Sequence, residues 1–191
     1  AFLDAGERYP LGELLKTVIV ASANDSAVAI AEHLAGAEEA FVKLMNARAD
    51  ELGLQNTHYV NCTGLPAPDH YTTARDVAKL SAQLDLHPLY YRYSTIWMDE
   101  IRHRGGRVTA LTNTNRLVRF YPGCDGYKTG STNEARYCIS ATAKKDGMRL
   151  IAVVLGTPAG QTRFDEARAM LEYGFANVKL TTPIAQGQPL D

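Results

Sequence analysis

The period of the apolar pattern changes just past Tyr91, from helical to strand spacing, and that change limits the folds open to this chain. Before it, apolar residues recur at helical spacing. After it they fall into short β-rich runs, and one helical stretch closes the pattern. Leu11 to Ser22 (LGELLKTVIVAS) is apolar on most sides, as expected of a buried helix, with Pro10 as N-terminal punctuation. A second helix is expected from about Asp25 to Leu34, ending at Gly36. A third, from Glu38 to Leu52, places Phe41, Leu44, Met45, Arg48 and Leu52 at helical spacing, with Gly53 as its C-cap. The stretch NTHYVNCTGLPAPDHY is denied regular structure by two prolines and a glycine. Thr73 with Asp76 resembles a capping box opening a helix through Leu84, and a short helix from about Pro88 to Tyr91 follows.

Beyond that point, Tyr93 to Arg102 and Arg107 to Thr112 predict a β-hairpin across Gly105 and Gly106. Ala135 to Ala143 and Met148 to Gly156 predict a second, with stronger turn chemistry in KKDG. The last helix is expected from about Thr162 to Phe175. Helices, then strands, then a closing helix predict an α+β fold: an antiparallel sheet flanked by helices plus a helical subdomain, rather than repeated βαβ units. The segment from Thr181 onward, rich in Pro, Gly and Gln, has the composition of a linker.

Composition removes several functions. Lys and Arg number 20 against 21 Asp and Glu, so the chain has no basic field, and nucleic acid is excluded as a partner. No apolar run approaches the ~20 residues a membrane span requires. Cys62, Cys124 and Cys138 show neither CxxC spacing nor an even number, so no zinc knuckle or dense disulfide framework is indicated. His33, His58, His87 and His103 form no pair at metal spacing, and no metal site is expected. His70, in the HYTTARD block, is the histidine most easily mistaken for a catalytic base. For it, as for the others, a structural or solvated role is the favoured reading. The first ten residues carry no signal-peptide pattern, which fits either an intracellular chain or a processed piece.

Two short clusters can carry chemistry. Ser22-Ala23-Asn24 stands where one apolar helix ends and another begins; for the tripeptide alone, a helix cap is the commoner explanation. Asp125-Gly126-Tyr127-Lys128-Thr129-Gly130-Ser131 places a cation, a hydroxyl and an uncrowded backbone at the start of a strand. Lys128 and Thr129 can hold a carboxylate, Gly130 admits a ligand's backbone, and strand N–H groups can stabilise an oxyanion. Taken alone, it could equally be a turn.

Together the clusters match the Ser-x-Asn and Lys-Thr-Gly motifs shared by penicillin-binding proteins and serine β-lactamases. The blocks AFLDAGERYPLGELLKTVIVASANDSAVAIAEHLAG, FVKLMNARADELGLQNTHYVNCTGL, HYTTARDVAKL and CDGYKTGSTNEARYCISATAKKDGMRLIAVVLG resemble low-molecular-mass D-alanyl-D-alanine carboxypeptidases from about Ala1 to Val178. The resemblance implies the DD-peptidase/serine β-lactamase fold, with residues 1–178 as the C-terminal portion of its catalytic domain and 179–191 as a linker toward a further domain. It implies a serine-type hydrolase that removes the terminal D-Ala of peptidoglycan stem peptides through an acyl-enzyme, with no cofactor. β-Lactams would be covalent inhibitors, and the place of work would be extracytoplasmic, in the bacterial cell envelope.

By the same resemblance, Ser22 passes a proton to the leaving amine. Asn24 contacts the substrate amide and the nucleophile's lysine partner, and Lys128 supplies positive field beside Ser22. Thr129 binds the substrate carboxylate, Gly130 clears the strand edge, and the Ser131 N–H forms half of the oxyanion hole. Arg163, at the start of the closing helix, approaches the terminal carboxylate; its plain alternative is a surface charge. The family sometimes carries another arginine before the Lys-Thr-Gly strand, and NTNRLV offers Arg116, with the register open by a residue or two.

The chain departs from the family in one respect. The nucleophile motif Ser-x-x-Lys occurs nowhere in its 191 residues. Thr142-Ala143-Lys144-Lys145 comes nearest and sits on the rim of a predicted hairpin. The expectation is therefore an acceptor side without its nucleophile, inactive alone and completed by an N-terminal segment, whether or not on a separate chain. The alternatives are a non-catalytic module that binds D-Ala-terminated peptides and a fragment with no function of its own.

Overall fold

The computed structural model describes residues 1–181. Its elements are α1 (Leu11–Ala21), α2 (Asn24–Ala35), α3 (Glu38–Glu51), α4 (Ala74–Leu84), a 3-10 turn (Pro88–Tyr90), α5 (Tyr91–Ser94), β1 (Met98–Arg102), β2 (Val108–Thr112), α6 (Leu117–Phe120), β3 (Cys124–Thr132), β4 (Arg136–Lys145), β5 (Met148–Thr157) and α7 (Thr162–Asn177). The α+β expectation holds, but the strands form two sheets. β1 and β2 make an isolated antiparallel hairpin; β3, β4 and β5 make an antiparallel sheet in that order. The expected linker lies mostly in 182–191, outside the described residues.

The larger sheet positions the site. Its turn between β4 and β5 places Asp146 at φ 49° and Gly147 at φ 81°, the two positive values a tight two-residue hairpin needs. One face carries Ile139, Ala141, Ala143, Ala152 and Val154. These pack against Phe164, Ala167 and Leu171, which share one stripe of α7. The other face carries Ser140, whose hydroxyl lies 2.7 Å from that of Ser81 on α4. β3, an outer strand of this sheet, bears the Lys-Thr-Gly motif in its middle rather than at its start.

A second small core joins α1 to the hairpin through Val20, Ile101 and Leu111. Lys16, nearly buried, fastens the same pair of elements. Its Nζ donates to the Glu100 carbonyl at 3.0 Å and pairs with Glu13 at 2.9 Å and Asp99 at 3.1 Å. Burial works to lower its pKa, and the two carboxylates outweigh it, so the group is shifted upward. Between α1 and α2, the buried Thr17 donates to Ser26 Oγ at 2.7 Å.

Three expectations are corrected. The strand foreseen from Tyr93 begins only at Met98, because Tyr91–Ser94 is helical: Tyr90 and Tyr91 pack on the Tyr127 ring, and Ser94 accepts from the buried Asn113 through its carbonyl at 2.9 Å. The Thr73–Asp76 box is half made. Thr73 Oγ1 accepts from Asp76 N at 3.2 Å, but the Asp76 carboxylate turns away to accept from Asn56 N at 2.8 Å and Thr57 Oγ1 at 3.0 Å. It thereby ties the irregular 55–72 segment to α4. Third, α3 buries Val42 and Ala49, whereas Leu44 is exposed.

Candidate active site

The C-terminus of α1 sets the first half of the site. Ser22 ends that helix in the left-handed region at φ 57°, ψ 43°, a conformation usually left to glycine. Its N–H donates to Val18 O at 3.1 Å, and Ala23 N–H donates to Thr17 O at 3.2 Å. The chain thus turns sharply and starts α2 at Asn24. The junction is not buried as a whole: Ala23 is, while Ser22 and Asn24 are exposed. Neither side chain caps a helix. The N-cap of α2 is Ala23, without a side-chain bond, and the Ser22 hydroxyl is engaged elsewhere.

It is engaged by Lys128. The Lys128 Nζ donates to Ser22 Oγ at 2.7 Å and to Thr129 O at 2.7 Å. Burial, and second the nearby Arg163 guanidinium, lower its pKa to about 8. The ammonium therefore still predominates at neutral pH, poorly hydrated and held against a hydroxyl.

Thr129 is buried on β3, and its hydroxyl meets that of Thr114 at 2.7 Å. Gly130 is exposed, and a Cβ built there would touch nothing within 4 Å, so the strand edge at this point is open. Ser131 is exposed one residue further along. Arg163, near the start of α7, reaches the far side of the same strand. Its Nη1 donates to Gly130 O at 2.9 Å and to Cys138 O at 3.3 Å, while the guanidinium lies over the rings of Phe164 and Tyr137. The charge is thus spent on β3 and β4 backbone, and burial lowers its pKa.

Ser22, Asn24 and Lys128 line one cleft of about 230 Å³, whose opposite wall is the 59–64 segment and His70. That wall is held by Asn46, which donates to Tyr59 O and accepts from Tyr59 N, both at 2.8 Å. His70 accepts from Val60 N at 3.4 Å and meets Tyr59 edge-on. Burial, then His58, lowers its pKa, which keeps the ring neutral in its structural role. A wider, largely apolar cleft of about 880 Å³ opens between the Gly64–Thr72 loop and the strands, with Leu65, Tyr71 and Leu155 on its walls.

The structure therefore brings Ser22, Asn24 and Lys128 together and strings Thr129, Gly130 and Ser131 along the same strand, with Arg163 behind it. Arg116 is elsewhere, donating to Gln161 Oε1 at 3.3 Å. Sequence reading missed the residue that does reach Thr129, namely Thr114. Nothing in the local sequence signals it; the structure shows it flanked by two buried amides, Asn113 and Asn115. Among the described residues, one group of possible metal ligands occurs, Asp4, Glu7 and His103, none of which lines this cleft. Arg107 Nη2 donates to Asp4 at 2.8 Å, and the His103 ring nitrogens meet Tyr9 and Thr109, so the cluster is internally satisfied.

Known proteins resemble this chain in sequence and in fold. The Peptidase_S11 family model, described as D-alanyl-D-alanine carboxypeptidase, matches residues 1–159. The D-alanyl-D-alanine carboxypeptidase DacF of Bacillus subtilis is 44% identical over 175 residues, covering 92% of this chain and 45% of the relative. DacC of Escherichia coli is 39% identical over 184 residues, covering 96% and 45%. The chain thus spans about half the length of the curated relatives it matches. Among solved structures, DacD of Francisella tularensis superposes with a TM-score of 0.88 at 28% identity, covering 99% of this chain and 57% of that one. A variant of the Streptomyces K15 DD-transpeptidase gives 0.86 at 28%, covering 92% and 72%. Penicillin-binding protein D2 of Listeria monocytogenes, in its cefotaxime-bound form, gives 0.78 at 32%, covering 90% and 69%.

Proposed function

The chain belongs to the D-alanyl-D-alanine carboxypeptidase family, and from that premise we propose that it carries the acceptor side of a serine DD-peptidase site. In this reading the complete enzyme removes the terminal D-Ala of peptidoglycan stem peptides through an acyl-enzyme. The observation that carries it is the contact between Lys128 Nζ and Ser22 Oγ at 2.7 Å.

The chemistry follows from donors and acceptors. A serine, giving up its proton to its lysine partner, attacks the penultimate D-Ala carbonyl; the new C–O bond forms, and the C–N bond breaks as the departing amine takes a proton from Ser22, which that lysine's proton replaces. Water then cleaves the ester. An ammonium can only donate, so Lys128 occupies a lone pair of Ser22 Oγ and leaves that hydroxyl's hydrogen free to be given to the leaving amine. Thr129 holds the substrate carboxylate. The reacting carbonyl lies two residues further along β3, where the Ser131 N–H supplies half of the oxyanion hole. The open edge at Gly130 lets the substrate backbone run close to the strand. Asn24 contacts the substrate amide and the nucleophile's lysine. Arg163 adds positive field near the carboxylate from behind the strand.

Since no Ser-x-x-Lys occurs in the 191 residues, the nucleophile is assigned to a segment outside them. β-Lactams, which present a carboxylate and a strained amide, would acylate the completed site. The workplace is the extracytoplasmic side of a bacterial envelope; no helix among the described residues is long and apolar enough to cross a membrane.

Fluorescent penicillin tests the reading. Labelling that requires the Ser-x-x-Lys segment supports it, and labelling of the 191 residues alone overturns the placement of the nucleophile. Reversible binding of stem peptide by the full-length protein without acylation favours the second reading, a D-Ala-binding module, which the missing motif motivates.

A further inference from the structure

We propose that Thr114 is a positioning residue for substrate-carboxylate binding: its hydroxyl decides which way the Thr129 hydroxyl points. The inference rests on the proposed role of Thr129.

Thr114 is held as a fixed point. Its N–H donates to Val20 O at 3.0 Å, two residues before Ser22. On one side, Asn113 Nδ2 donates to Ser94 O at 2.9 Å and Ile96 O at 2.8 Å. On the other, Asn115 Nδ2 donates to Gly126 O on β3 at 3.1 Å. The Asn113 side-chain carbonyl also accepts from Asn115 N at 2.9 Å, closing the tripeptide on itself. Both asparagines are buried with their amides satisfied, so the backbone between them has little freedom. The tripeptide is thereby bonded to α1, which carries Ser22, and to β3, which carries Thr129.

From that point Thr114 Oγ1 lies 2.7 Å from Thr129 Oγ1. Among the described residues it has no other side-chain partner. Two hydroxyls at this distance share one hydrogen, and without substrate Thr129 is its donor and Thr114 its acceptor. A carboxylate only accepts. For Thr129 to donate to it, the shared hydrogen has to come from Thr114. Thr114 then donates to Thr129, Thr129 donates to the carboxylate, and the short chain polarises in one direction. A substrate ending in a carboxamide can donate or accept, so it makes no such demand. Thr114 touches no reacting atom and acts only through Thr129.

The terminal carboxylate leaves with D-Ala, which separates this role from a merely structural one. In the full-length enzyme, Thr114→Val should lower kcat/KM for acylation by a D-Ala-D-Ala peptide about five- to tenfold. Breakdown of the peptidyl-enzyme, already free of that carboxylate, should keep its rate. The preference for the free peptide over its C-terminal carboxamide should shrink by the same factor, and Thr114→Ser should restore it. Equal kinetics in wild type and Thr114→Val overturn the proposal, as does an equal loss in both steps or no rescue by Thr114→Ser. A wild type that does not discriminate carboxylate from carboxamide instead overturns the role given to Thr129, and the proposal with it.

Discussion

Lys128 and Ser22 stand 106 residues apart in sequence and 2.7 Å apart in space, the ammonium donating to the hydroxyl. Because burial and Arg163 lower the Lys128 pKa to about 8, the donor is lost within an accessible pH range. Acylation of the full-length enzyme by penicillin should fall as pH rises through about 8. The stability effect has the opposite sign. The same lysine takes its ordinary value of 10.5 when unfolded, so between about 8 and 10.5 the unfolded chain binds more protons there. This group's contribution to stability therefore rises with pH across that window. Acylation rates and urea titrations at pH 7 to 10 should diverge; a flat acylation profile would contradict the assignment. Lys128→Ala should remove about 2–4 kcal/mol of transition-state stabilisation at neutral pH, and progressively less above about pH 8.

Ser22 occupies a left-handed conformation that costs any side chain something. Ser22→Gly should leave unfolding free energy within about 1 kcal/mol of wild type, because relief of that cost offsets the added freedom of the unfolded chain. Acylation should nevertheless drop by about two orders of magnitude with loss of the proton route. Denaturant curves beside acylation rates check both halves, and retained acylation would remove Ser22 from the mechanism.

Ser81 and Ser140 satisfy each other at 2.7 Å between α4 and β4, both buried. Either serine changed to alanine should cost about 1–3 kcal/mol, since a buried hydroxyl loses its partner. The double variant should cost less than the sum of the two. Strict additivity in equilibrium unfolding would mean that the two hydroxyls are not coupled.

Arg149 on β5 spans two carboxylates and a ring. Its Nη1 and Nη2 donate to Asp125 at 2.7 and 2.9 Å, Nε pairs with Asp85 at 2.9 Å, and the guanidinium lies 4.6 Å from the Tyr91 ring centre. A lysine cannot reproduce the fork or the stacking. Arg149→Lys should lower stability by about 1–2 kcal/mol despite the conserved charge, discounted for the solvent reaching Asp85. Thermal unfolding of Arg149→Lys beside wild type checks it, and an unchanged midpoint would count against the fork.

Local chemistry made much of this molecule legible in advance. The Asp146-Gly147 turn announced the β4–β5 hairpin, and Pro10 and Gly36 marked helix limits that the structure keeps to within a residue or so. The start of the strand expected from Tyr93 failed because aromatic and β-branched side chains favour a strand, while packing of Tyr90 and Tyr91 on Tyr127 carries the helix on through Ser94. The site was harder. Nothing local to Ser22 or Lys128 says that they touch; only their resemblance to a motif set put them in one place. Thr114 was invisible because its meaning depends on Thr129, a contact that no spacing rule connects.

The 55–72 segment is fastened by Asn46 near its start and by Asp76 against α4, while Leu65, Pro66 and Pro68 at its tip stay exposed. Anchorage and tip are thus separate modules. The tip side chains line the wider apolar cleft and not the Ser22–Lys128 one, so they can be exchanged without disturbing either core, and the shape of that outer cleft is set independently of the fixed pair.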